Sequence, residues 1–340
     1  MTRVRPAVVS TAAALAIVIA PVLAADIVTL KLATVAPKSS SFVTALSGMD
    51  AAWHKATGGR VKLRLFTDGS VGDEPTAISL MQPPANHLHA ALLTLPGLTR
   101  IDEAFSVFGI PFFFQSDEEL AYVHQKLAPQ LTKRLEAKGF HLVAWSSAGW
   151  VQVFSRKPVR TLDQLKQTRL FTSQGSDAMV QWYKANGFHP VALSANDMPG
   201  GLATGIVDAV PIPPYPAAVL SVFRYAKFML DLRVAPLIGA TVITTAAWNR
   251  VSSEDRAAMM PAARVMEQEM LASAPRQDAT AITEMRTRGL TVTTLGPAAA
   301  AEFRAEAEKL KTSMRGTMVP IDIYDLALAE RDTFRKSKGH

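Results

Sequence analysis

The 340-residue chain contains no cysteine. That excludes disulfides, zinc thiolates, a cysteine nucleophile and a lipid-modified N-terminal cysteine. Catalytic signatures are missing as well: no GxSxG, Walker A loop, HExxH or correctly spaced Rossmann glycine set occurs. The glycines of Gly200–Gly201–Leu202–Ala203–Thr204–Gly205 have the wrong spacing, and a turn explains them. Charge of one sign is not concentrated anywhere. The 36 Lys and Arg against 29 Asp and Glu give a net charge of +7, spread along the chain. The single basic run, Arg331 to Lys338, reads as a solvated tail rather than a nucleic-acid arm. Beyond the N-terminal segment no apolar run is long enough to cross a bilayer.

What is present is ordinary globular composition, 49% hydrophobic and 19% charged, with enough chain for two domains. The N-terminus stands apart. Arg3 and Arg5 form a basic start, Ala7 to Ala20 an apolar stretch, and Pro21 to Ala25 a small-residue cleavage site. An uncleaved anchor is the alternative, but the stretch is short and interrupted by Pro21. Residues 1–25 are therefore read as a secretory signal, and the mature protein is expected in an extracytoplasmic compartment.

Two strand–helix–strand–helix–strand series follow. In the first, Val28 to Thr34 is a strand, Ser41 caps a helix with Phe42, Leu46, Met49 and Trp53 on one face, and Val61 to Leu65 alternates. Asp73 caps the next helix, with Pro75 in its first turn, before a strand from His87 to Leu95. His87 and His89 share a strand face, but without a third ligand nearby they read as solvent-facing side chains. Ser116 with Glu119 has capping-box spacing and opens a helix that Gly139 ends. Strands at Phe140 to Trp145 and Val151 to Ser155 then carry the chain into the second series. There Thr161 with Gln164 forms another capping box, Arg169 to Thr172 is a strand, and Ser176 caps a helix stopped by Gly187. His189 to Leu193 and Val207 to Val210 are further strands. Each series predicts a parallel sheet with its ligand site beyond the strand C-termini. Leu237 to Thr245 is expected to return to the first domain. A long helix from Ser252 to Ala274 should kink at Pro261, followed by a helix from about Ala279 to Arg288, strand Leu290 to Leu295 and helix Pro297 to Met314.

The segments "LDQLKQTRLF" (from Leu162) and "LATGIVDAV" (from Leu202) resemble the "LddLKGlKiR" and "LqtGvvDa" signatures of TRAP-transporter solute-binding proteins, the DctP family. "LATVAPKSSS", "GGRVKLRLFTDGSVGDE", "FGIPFFFQSDEEL" and "FSRKPVRTLDQLK" extend the likeness in order and spacing. The resemblance implies a periplasmic-binding-protein-like α/β fold of two lobes, each a sheet flanked by helices, with a long kinked helix bridging them. The lobes would be residues 26–149 plus about 236–275, and 150–235 plus about 276–320, with 321–340 a C-terminal tail. It implies a non-enzymatic, monomeric, cofactor-free periplasmic receptor that closes about hinges near Trp150, Leu232 and the long helix. The receptor would deliver a small organic solute to TRAP-type membrane permease subunits. A secreted enzyme or a solute sensor on the same scaffold are the alternatives.

The family's arginine at the end of the "LKGLKiR" strand grips the ligand carboxylate, and here Phe171 stands at that position. Other polar family positions fall on Thr94, Gly97, Val151 and Ile212; only Gln174 keeps a polar group where the family has asparagine. The expected site is therefore Phe171, Trp150 and Tyr215 around an apolar or aromatic solute, with Pro213 beside Tyr215. Gln174 and Thr94 would orient the solute, and Glu74 is a further cleft candidate. Phe112 and Trp182 are read as core. The alternative ligand is a conventional organic acid met by Lys38, Arg169 or backbone amides.

Overall fold

The computed structural model describes residues 27–339, so the secretory-signal reading lies outside the described residues. The strands are β1 (Val28–Thr34), β2 (Val61–Phe66), β3 (Ala90–Thr94), β4 (Phe140–Trp150), β5 (Gln152–Ser155), β6 (Arg169–Ser173), β7 (His189–Leu193), β8 (Ala209–Ile212), β9 (Phe228–Leu230), β10 (Pro236–Thr244) and β11 (Thr291–Thr293). They form a five-stranded sheet in the order β2-β1-β3-β10-β4 and a six-stranded sheet in the order β11-β9-β5-β8-β6-β7. Helices flank both, giving a two-lobe α/β fold.

Neither sheet is purely parallel. β1 runs parallel to β2 and β3, but β10 is antiparallel to both of its neighbours, β3 and β4. In the second sheet β6 is parallel to β7 and β8, whereas β5 is antiparallel to β8 and β9. The reversed strand in each sheet is the one that has just arrived from the other lobe. Residue alternation reports a strand's faces and not its direction, so the sequence predicted parallel sheets.

The two crossings are paired with each other. Val151, between β4 and β5, donates its N–H to Ala235 O at 2.9 Å and accepts from Val234 N–H at 2.9 Å. A third link is the helix Ser253–Thr287. Its 35 residues run unbroken through Pro261 and Pro275, where two helices separated near Ala274 were expected. Each proline removes one N–H from the helical ladder, but packing at both ends holds the rod. Met259, Met266 and Met270 lie in the first lobe's core with Leu30 and Trp53, and Ala281 and Met285 in the second lobe's core with Phe171. At 1.5 Å per residue such a helix is about 50 Å long. Helix Pro297–Met314 makes a fourth link, with Phe303 in the second lobe's core and Leu310 and Met314 in the first.

Local capping follows the sequence closely. Ser116 Oγ accepts from Glu119 N–H at 3.1 Å, Asp73 Oδ1 from Thr76 N–H at 3.1 Å, and Thr161 Oγ1 from Gln164 N–H at 3.2 Å. The helix Ser41–Ala56 is capped by Ser40 instead of Ser41; in a run of three serines only the buried one has its hydroxyl over Val43 N–H. The third strand starts at Ala90, with His87 exposed and His89 Nδ1 accepting from Lys31 N–H at 3.0 Å.

The C-terminal residues are not a solvated tail. Helix Ile321–Lys338 buries Ile323, Tyr324 and Ala327 against the helix Asp117–Ala137. Its basic run is engaged: Arg335 Nε donates to Glu119 Oε1 at 2.6 Å, and the Arg331 guanidinium lies 4.5 Å over the Phe113 ring. Helical spacing of Ile323, Tyr324 and Ala327 was the overlooked sign.

Candidate functional site

The lobes enclose a cavity of about 200 Å³ between the ends of their strands. Phe42, Thr94 and Ser146 line it from the first lobe; Phe171, Ser173 and Ile212 line it from the second. Thr94, Ser173 and Ile212 are the last residues of β3, β6 and β8, the place where open α/β sheets present ligand sites. Phe171 and Ser173 are two apart and so share a strand face. Among the described residues no Asp, Glu, Lys, Arg or His lines this cavity.

Tyr215 closes one side. Its hydroxyl accepts from Ser41 N–H across the lobes at 2.7 Å, and its ring meets Phe42 edge-on at 5.8 Å. Asn196, in the loop after β7, closes another. Its amide rests on Gly69 of the opposite lobe, which has φ +61° and where a Cβ would fall inside the amide. A second groove, about 500 Å³, runs outside Tyr215 along the long helix between Arg276 and Arg288. It borders one lobe and the bridging helix, and the inter-lobe cavity is the better solute site.

Of the residues expected from sequence, Phe171, Tyr215 and Thr94 line the cavity. The other four do not. Trp150 is 5% exposed and turned to the outer side of the crossing. Its indole N–H donates to Asp117 Oδ1 at 2.6 Å, and Arg233 stacks 4.0 Å over its ring. With its N–H on a carboxylate and one face under a guanidinium, the ring is committed to these partners and is not part of the cavity lining. Gln174 lies just past the end of β6 and is exposed, with its N–H on Leu193 O. Pro213 is buried behind the wall, just before the helix Pro214–Val219.

Glu74 lies behind Thr94. Its carboxylate accepts from Thr94 N–H at 2.6 Å, Thr94 Oγ1 at 2.9 Å and Gly97 N–H at 2.8 Å, at the start of the helix Leu95–Ile101. Burial raises its carboxyl above the ordinary range, against the pull of those three donors. Glu74 therefore fixes the β3 end and does not face the cavity. Phe42, Ser146, Ser173 and Asn196 were missed in the sequence. Period-two spacing from Phe171 marks Ser173, and position beyond a parallel strand marks Asn196. Ser146 was read as part of a connection between two strands, whereas β4 continues through it to Trp150 without interruption.

The two cations considered as substitutes for the absent arginine lie elsewhere. Arg169 is held by Asp208 through Nε–Oδ2 at 2.7 Å and Nη2–Oδ1 at 2.9 Å, and this guanidinium keeps the Asp208 carboxyl below its usual range. Lys38 has an exposed side chain outside the cavity wall, and its N–H is bonded to Asp68 Oδ1.

The model of the bacterial extracellular solute-binding protein family 7, DctP, matches residues 32–316. The chain belongs to the DctP family. Among curated relatives, the 2,3-diketo-L-gulonate-binding periplasmic protein YiaO of Escherichia coli is 26% identical over 215 residues, 61% of this chain and 63% of that protein. A solute-binding protein of Verminephrobacter eiseniae is 23% identical over 246 residues, 70% of this chain and 71% of that one. The matched stretches span from 53% to 71% of the curated relatives' lengths. Among solved structures, DctP7 of Bordetella pertussis, an extracytoplasmic solute receptor binding pyroglutamic acid, superposes with a TM-score of 0.82 at 19% identity, covering 89% of this chain and 99% of that one. A TRAP periplasmic solute-binding protein of Haemophilus influenzae with bound L-gulonate gives 0.81 at 18% identity, with the same coverage. These two likenesses establish the fold of the DctP chain described here.

Proposed function

We propose that this DctP-family chain is a periplasmic receptor that captures a small organic solute between its lobes and delivers it to a TRAP-type membrane permease. We further propose that the part of the solute it buries is uncharged. Family membership supports the first statement. One observation carries the second: among the described residues no charged side chain lines the inter-lobe cavity, and Phe171 stands in its wall. A carboxylate enclosed there would lose its hydration with no cation in return, a cost of several kcal/mol. An apolar or aromatic body fits the Phe42, Phe171 and Ile212 surfaces. Ser146 Oγ, Ser173 Oγ and the Asn196 amide face the same space. None of these three side chains makes a side-chain hydrogen bond among the described residues, which leaves them to orient neutral polar groups of the solute.

A thermal-shift panel tests the reading. Benzamide and other small neutral aromatic or alicyclic solutes are expected to raise the melting temperature. Succinate and glucuronate are expected to leave it unchanged. Strong stabilisation by the two acids with none by the neutral set would overturn the uncharged-cavity reading.

A further inference from the structure

Asp278 lies on the bridging helix Ser253–Thr287, where the cleft wall meets the first crossing between lobes. One carboxylate oxygen, Oδ2, accepts from Trp150 N–H at the end of β4 at 3.2 Å. The other, Oδ1, accepts from Tyr215 N–H in the first turn of the helix Pro214–Val219 at 2.9 Å. Room for the carboxylate comes from Gly149, whose φ is +101° and whose missing Cβ would coincide with Asp278 Oδ2. Asp278 is buried and forms no ion pair among the described residues. The charged groups that face it are Arg233, from the segment between β9 and β10, and Asp117, from the helix Asp117–Ala137. Those two are bound to each other at 3.1 Å, and both also hold the Trp150 side chain.

We infer that Asp278 is a positioning residue for the solute site, a clasp that ties the Tyr215 wall of the cleft to the Trp150 end of the crossing so that the two move together. The inference rests on the solute-receptor reading and adds to it the group that couples cleft and hinge. Without Asp278, Tyr215 would still reach Ser41 and β8 would still pair with β5, but the direct tie between the Tyr215 and Trp150 N–H groups would be lost.

The clasp has a consequence for pH. Burial pushes the Asp278 carboxyl up to about 6, outweighing the two N–H donors and Arg233; Asp117 adds to the rise. Parting the lobes withdraws Ser41 and Phe42 from Tyr215 while both clasp bonds stay in place, and water reaching the carboxylate then lowers its affinity for a proton toward the ordinary aspartate value of about 3.9. Closing then takes up a proton, and acid favours the closed form. The gap of about two pK units bounds the effect at roughly 100-fold in the closing equilibrium.

The absence of cysteine allows a direct measurement without any solute. Gln82→Cys and Lys184→Cys place one exposed thiol on each lobe for nitroxide labels, and the inter-lobe distance distribution is recorded from pH 8 to pH 5. The short-distance population is expected to grow several-fold as pH falls through about 6. Asp278→Asn, which keeps one acceptor and loses the titration, is expected to abolish that change. The seven histidines are common to both proteins and cancel. A distribution identical at pH 5 and pH 8 in the otherwise unaltered protein would overturn the inference, whether or not Asp278→Asn folds. So would the same pH response in Asp278→Asn. Neither result touches the receptor reading, which stands or falls on solute binding.

Discussion

Phe171→Arg puts a guanidinium at the point where the family signature carries arginine, and the structure sets the size of two opposite effects. Phe171 is 8% exposed and packs with Phe154, Met198 and Ile212 in the second lobe's core. Truncating a core phenylalanine costs about 3–5 kcal/mol. The arginine stem recovers part of that contact, while its charged head enters a wall with no anion. A net loss of about 2–4 kcal/mol follows, a fall of roughly 5–10 °C in melting temperature. Binding should move the other way for acids. A bidentate guanidinium–carboxylate pair contributes about 1.5–3 kcal/mol, so benzoate should gain roughly 10- to 100-fold over the parent protein while benzamide loses affinity. Scanning fluorimetry reads the first effect and isothermal titration the second. A variant as stable as the parent that gains no affinity for benzoate would refute the placement of Phe171 in the cleft wall.

Tyr215→Phe removes the acceptor for Ser41 N–H across the cleft. It should weaken neutral-solute binding by about 0.5–1.5 kcal/mol while leaving unliganded stability unchanged, as titration and thermal melts would show. Arg335→Ala strips the buried Glu119 of its cation and should cost about 3–5 kcal/mol in urea unfolding; a loss under 1 kcal/mol would return the last helix to the role of a loose appendage. Because the Asp278 carboxyl is raised to about 6 in the fold, its ionisation destabilises the protein above that pH. Relative to Asp278→Asn, the parent should gain about 1 kcal/mol between pH 7 and pH 5, measured by denaturant titration at both pH values.

Much of the fold was readable because it is written in local chemistry. Ser116, Asp73 and Thr161 each place a hydroxyl or carboxylate over a free N–H, so those helix starts needed no tertiary information. The misjudged elements all depend on distant partners. The helix was expected to end at Ala274, and only packing of Met270 and Ala281 in different lobes shows one continuous helix. The reversed directions of β5 and β10 come from the chain's return between lobes, which residue alternation does not encode. At the site, Phe171 was identifiable because a motif fixes its position. At the crossing the family position falls on Val151, which lines the cavity, whereas Trp150, chosen beside it as an aromatic, points to Asp117 and Arg233. Asn196 was missed because its role depends on Gly69, more than a hundred residues away in the other lobe.

The central claim is that the cavity accepts a neutral body and rejects a charged one. Isothermal titration of the unmodified protein with benzamide and with benzoate at pH 7 separates these, since the two share a ring and differ in charge. Binding of benzamide with at least tenfold preference over benzoate is the predicted result. Tighter binding of benzoate would mean that the cavity supplies a cation or a set of N–H donors, and would contradict the account.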